Sequence, residues 1–116
     1  MPDSDAIIVF MTAANRAEAV RLAEMLVESH LAPCVQILPE IESIYLWKGN
    51  VERQAEVLLI AKTVKSKFAE LDREVRALHS YETPEIVAVQ MADCSAPYLE
   101  WLIAGTGATA AHGAPE

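Results

Sequence analysis

Apolar and polar positions alternate along the chain in a way that predicts six elements before a final helix. Residues 6–12 (AIIVFMT) form an unbroken apolar run with β-branched and aromatic members, the pattern of a strand covered on both faces. Asn15 followed three places on by Glu18 is a capping-box-like start. From Ala17 to about His30, Ala19, Val20, Leu22, Ala23, Leu26 and Val27 share one side of a predicted helix, opposite Arg16, Glu18, Arg21, Glu24 and Glu28. Met25 falls on the polar side and is expected to be exposed. Pro33 stops any continuation.

Residues 34–47 (CVQILPEIESIYLW) read as extended, and the proline inside them, Pro39, assigns that strand to a sheet edge or a bulge. Lys48-Gly49-Asn50 is a turn signal, and the return arm runs from about Val51 to Thr63, with VLLIA at 57–61 apolar throughout. Ser66 is placed to cap a second helix carrying Phe68, Leu71, Val75 and Leu78. A proline-bearing connection, Tyr81 to Glu85, leads to a last strand at Ile86–Met91. Ala96 to Ala104 predicts a short helix ended by Gly105. The order β-α-β-β-α-β plus a terminal helix predicts an α+β ferredoxin-like sandwich, one domain over residues 6–105, with 106–116 a disordered tail. In that topology strands one and three are central, and the two most apolar runs occupy those slots.

Each arm of the hairpin is long. Fourteen extended residues reach roughly 45 Å, whereas a compact domain of this length has a radius of gyration of about 13 Å. The overhang contains Ile44, Tyr45, Leu46 and Trp47, an apolar edge that a lone chain would leave bare. Pairing with another copy is the expected solution; the alternative is a bend at Pro39 that folds the strand back on its own sheet.

Composition narrows the function. With 9 Lys+Arg against 17 Asp+Glu the net charge is −8, which disfavours nucleic acid and anionic membranes as partners. No apolar run approaches the ~18–20 residues of a membrane span, and no basic segment precedes the first strand as in a secretory signal. Cys34 and Cys94 form no C-x-x-C pair, so a reduced, cytoplasmic protein is expected. No nucleophile elbow, zinc-protease motif, phosphate loop or dinucleotide fingerprint occurs, which argues against an enzyme.

Several segments together are specific enough to name a likeness. Pro33-Cys34-Val35-Gln36-Ile37, Ser43 to Gly49 (SIYLWKG), Glu56 to Thr63 (EVLLIAKT), His79 to Ile86 (HSYETPEI) and Tyr98-Leu99-x-Trp101-Leu102 resemble the CutA divalent-cation tolerance proteins, in order, across about residues 6–104. The resemblance implies a homotrimer with strand pairing between subunits, an architecture similar to nitrogen-regulatory signal proteins, and a role in tolerance of copper and other divalent cations. It also implies a copper site made of a cysteine at the end of the first strand and a His-His pair. Here Met11 stands at the cysteine position, Leu78 at the first histidine and His79 at the second, with Ser80 where the family has proline. His79 is thus the retained ligand candidate and Met11 a soft stand-in for Cu(I). The competing role for His79 is to cap the end of a helix.

The resemblance further gathers Tyr45, Trp47, Lys62, Tyr81 and Glu85 around a cleft between subunits. Such a cleft could hold a small anion or metabolite; the alternative is interface packing with Lys62 and Glu85 as an ion pair. Cys34 is expected as a small buried hydrophobe, Cys94 as a surface thiol, His30 as a helix-end residue, and His112 lies in the tail. The leading expectation is a homotrimeric cation-tolerance protein binding copper or another divalent ion weakly and needing no cofactor. A ligand-sensing signal trimer and a ligand-free scaffold are the alternatives. Three copies would carry −24, three times the −8 of one chain, and would attract cations diffusely.

Overall fold

In the computed structural model, which describes residues 5–107, the first apolar run becomes β1 (Ala6–Ala13) and lies inside the sheet. It is followed by α1 (Arg16–Glu28), β2 (Cys34–Trp47), β3 (Asn50–Val64), α2 (Phe68–Leu78), β4 (Ile86–Gln90) and α3 (Ala96–Gly105). The four strands form one sheet in the order β2-β3-β1-β4, with every adjacent pair antiparallel. The apolar strands β1 and β3 are central and the proline-bearing β2 is an edge, as the residue pattern predicts. Order and topology agree with the ferredoxin-like arrangement.

Side-chain alternation divides the sheet into two faces. Ile7, Val9 and Met11 of β1 and Leu59 and Ala61 of β3 point to α1 and α2, where they join Leu22, Leu26, Leu71 and Val75 in the core. On the other face, cross-strand rows run Cys34–Lys62–Ile8–Val89 and Gln36–Ile60–Phe10–Val87. The terminal helix α3 reaches the first of these rows, with the Tyr98 ring 5.8 Å from Lys62 Nζ. Val87, Val89 and Trp101 stay exposed there.

β2 and β3 continue together past the body of the domain to a two-residue turn. Lys48 and Gly49 have φ of 50° and 84°, the doubly left-handed geometry that matches the twist of a tight hairpin. The long axis is 51 Å and the radius of gyration 15.2 Å, so the strand is not folded back at Pro39. Instead the register shifts between Leu38 and Ile41, with Glu40 at φ 58°. Extra β2 residues there are left without a partner on β3, a bulge that reverses which β2 side chains face which way. Beyond it Ile41, Ser43, Tyr45 and Trp47 share a face with Glu56 and Gln54, while Ile44, Leu46 and Val51 share the opposite one.

Four local expectations are corrected. Met25 is half-buried and packs against the core. Ser66 lies in a short 3-10 turn (Lys65–Lys67) ahead of α2, which has no side-chain cap. Glu18, placed by its helix side among the polar residues, is buried. Thr106, assigned to the tail, is buried with its hydroxyl donating to the Ile103 carbonyl at 2.7 Å. Residues 108–116 of the expected tail, with His112, lie outside the described residues.

Gly105 closes α3 because nothing larger fits. A Cβ there would stand 2.6 Å from Pro33 Cβ and 2.7 Å from its Cγ. The same residue's carbonyl lies 3.0 Å from His30 Nδ1, joining the ends of α1 and α3. Gly105→Ala is expected to destabilise the fold by about 1–3 kcal/mol, the usual range for overpacking. Urea unfolding should show a lower midpoint at unchanged slope; an unchanged midpoint would mean that the Pro33 ring yields freely.

Candidate functional site

The bulge in β2 and the Tyr81–Glu85 connection between α2 and β4 together shape a cleft of about 670 Å³, within the range of small-molecule sites. Its floor includes Thr12 at the end of β1 and Glu56 of β3; the hairpin supplies Tyr45, Trp47 and Gln54, and the connection supplies Tyr81, Glu82 and Glu85. Two phenols are held in place. Tyr81 Oη donates to Glu56 Oε2 at 2.7 Å, and Tyr45 Oη donates to Gln54 Oε1 at 2.7 Å. Glu56 is only 6% exposed, so its carboxylate depends on that hydroxyl. Burial, then the Glu56 hydrogen bond and the negative charge of Glu56, push the Tyr81 phenol far above its usual range. Tyr81 is therefore a fixed neutral donor at any physiological pH.

Under the cleft lies a second polar cluster that the residue pattern shows only as a helix cap. Asn15 Oδ1 accepts from Glu18 N–H at 2.9 Å, as a cap should. The Glu18 side chain turns inward. Its Oε1 accepts from Ala14 N–H at 2.9 Å and its Oε2 from Ser80 N–H at 2.7 Å. This ties the start of α1 to the segment that follows α2, 62 residues later. Burial alone would raise the Glu18 carboxyl. The bonds from Ala14 and from the Ser80 hydroxyl and amide outweigh it and hold the carboxyl below its ordinary value.

His79 sits at the end of α2 with its side chain fully buried. Its Nε2 donates to the Thr12 carbonyl at 2.8 Å and its Nδ1 accepts from Tyr81 N–H at 3.0 Å. The network thus fixes the Nε2–H tautomer, and both nitrogens are engaged. A metal would have to displace one of these bonds. Met11 is wholly buried among aliphatic core residues on the helix side of the sheet. Among the described residues no group of three His, Cys, Asp or Glu side chains is placed to hold a metal ion.

Of the five expected cleft residues, four converge within one chain: Tyr45, Trp47, Tyr81 and Glu85. Lys62 does not. It stands in the row of Ile8, four residues along β1 from Thr12, or roughly 13 Å at the usual strand rise. There it meets Tyr98 rather than Glu85. Burial and a hydrogen bond with the Cys34 thiol push the Tyr98 phenol up to about 12. Cys34 and Cys94 are both free and half-buried. Without Lys62 the cleft within one chain has three carboxylates, Glu56, Glu82 and Glu85, and no Lys, Arg or His among its lining residues. The residues missed in sequence are thus Thr12, Glu18, Gln54, Glu56 and Glu82. Only Glu18 left a signal, its spacing from Asn15.

Residues 7–104 match the family described as CutA1 divalent ion tolerance protein. The chain is 44% identical over 96 residues to "Protein CutA, chloroplastic" of Arabidopsis thaliana, covering 83% of this chain and 53% of that protein. It is 43% identical over 100 residues to the divalent-cation tolerance protein CutA of Thermus thermophilus, covering 86% of this chain and 97% of that one. The solved structure of the divalent cation tolerance protein of Thermus thermophilus superposes with a TM-score of 0.82 at 42% identity, over 84% of this chain and 94% of that chain. This chain spans about half the length of the plant relative and nearly all of the bacterial one.

Proposed function

The chain belongs to the CutA1 family of divalent ion tolerance proteins, and from that premise we propose that it serves divalent-cation tolerance as a homotrimer without catalytic activity. The observation that carries the assembly is the hairpin. β2 is an edge strand with an unpaired outer side, and the hairpin tip carries Ile44, Leu46 and Val51, which are 56%, 72% and 73% exposed. Monomeric proteins rarely leave such an edge bare. Val87 and Val89 on the sheet face and Trp101 of α3 add further apolar surface for neighbouring copies. The two free thiols fit a reducing compartment such as the cytoplasm, and no helix among the described residues is long and apolar enough to cross a membrane.

Any copper or other divalent cation is held weakly. The bacterial relative is named as a tolerance protein, not as an enzyme. His79 is committed to Thr12 and Tyr81, while the negative charge is spread over many carboxylates. Calorimetric titration of tag-free protein with Cu(II) and Zn(II) tests this. The expected result is weak binding that fades as salt rises from about 50 to about 500 mM, the behaviour of diffuse attraction screened over a Debye length of roughly 14 to 4 Å. Stoichiometric binding insensitive to salt and abolished in His79→Ala, with that variant still folded by circular dichroism, would contradict it and restore the His79 site.

A further inference from the structure

The cleft combines three features that together select a ligand class. Its walls are aromatic: Tyr45, Trp47 and Tyr81. Its charged lining is only negative, from Glu56, Glu82 and Glu85. It also opens beside the last turn of α2, since His79 caps that helix and Tyr81 follows two residues later; the C-terminal end of a helix carries partial negative charge. We propose that this cleft binds an organic cation, an ammonium or guanidinium group on a carbon body, with the charge against Glu85 and Glu56 and the carbon against the aromatic rings. Aromatic faces attract cations through their quadrupole and exclude water from the carbon body.

The alternatives fit less well. An inorganic or carboxylate anion would face three carboxylates with no basic side chain to meet it. A bare divalent metal would need several oxygen ligands in one sphere. Here one Glu56 oxygen is taken by Tyr81, and much of the wall is aromatic ring. A neutral apolar ligand would bury carboxylates without compensating them. The hairpin already shows the contact on a small scale, with Lys48 Nζ 5.5 Å from the centroid of the Trp47 ring. The proposal uses residues of a single chain and requires that the neighbouring copies of the proposed trimer leave the cleft open.

Benzyltrimethylammonium is a suitable probe, with its neutral carbon isostere neopentylbenzene and with benzoate as controls. Titrations followed by calorimetry and by the Trp47 indole and Tyr81 amide NMR signals are expected to show saturable binding of the cation and none of either control. Glu85→Gln, an exposed substitution, should weaken binding about three- to tenfold, the effect of removing one partly solvated charge contact. Trp47→Leu should weaken it comparably. Equal binding of the neutral isostere would overturn the proposal, as would cation binding unchanged in both variants or signals that move elsewhere in the protein. Binding confined to a form dissociated by hairpin substitutions would also overturn it. In that case a neighbouring copy fills the cleft and the assembly reading stands.

Discussion

Replacing Leu46 and Val51 together by aspartate is expected to reduce the particle to a single chain of 12.7 kDa. The two residues form a directly opposed cross-strand pair near the hairpin tip. In one chain both point to solvent, so the substitutions should leave the folded subunit almost unchanged, as exposed positions usually do. In the proposed trimer the pair would be buried against a neighbouring copy. Fully burying each aliphatic side chain contributes about 1.5–3 kcal/mol, and putting a carboxylate in its place costs several kcal/mol more. With two positions on every hairpin, the change exceeds what an interface of standard size can absorb. Light scattering should then report the monomer mass with a native-like circular dichroism spectrum. A variant that keeps the wild-type mass would show that the hairpin tip is not a contact.

The second large effect concerns Glu18. Glu18→Ala is expected to destabilise the fold by about 2–4 kcal/mol, because it strands the Ala14 and Ser80 amides in a half-buried site, at about 1–3 kcal/mol for each unsatisfied donor. Glu18→Gln keeps one carbonyl oxygen and should lose roughly half as much. Urea unfolding at matched protein concentration measures both. The pH dependence gives a sharper signature. Because the folded state holds this carboxyl below its ordinary 4.5, the unfolded chain takes up the proton first. The stabilisation is complete above the ordinary value of 4.5 and is lost as the pH falls through the lowered folded value. The stability gap between wild type and Glu18→Gln should therefore be widest near neutrality and shrink in acid. A gap that stays constant down to about pH 3 would mean that the carboxylate charge contributes nothing.

The two clusters differ in how far the residues announce them. The hairpin is readable because its signals are local: two apolar β-prone arms, a Lys-Gly turn and a proline that cannot sit inside a sheet. The central slots of β1 and β3 follow from runs apolar at every position. The cleft depends on pairings that no local pattern encodes. Tyr45 and Trp47 face Glu56 only because the bulge between Leu38 and Ile41 reverses the alternation of β2. Resemblance groups Lys62 with Glu85, whereas the register Cys34–Lys62–Ile8 carries it several residues away, to Tyr98. Glu18 reads as a solvent-facing helix residue until the chain beyond α2 returns with Ser80. His79 reads as ligand or cap, and its bonds to Thr12 and Tyr81 give it a positioning role between the β1 end and the cleft.

These placements also separate the roles of the hairpin's faces. Tyr45 and Trp47 look toward the cleft, and Leu46 and Val51 look away from it. One segment can thus wall a ligand site and offer an apolar surface to a neighbour without the two demands conflicting.

The presence of that neighbour sets the mass of the particle in solution. Light scattering of the unmodified protein after size exclusion, at micromolar concentration and moderate salt, addresses it directly. The predicted result is a single species of about 38 kDa, three times the 12.7 kDa chain. A monodisperse 12.7 kDa species would contradict it.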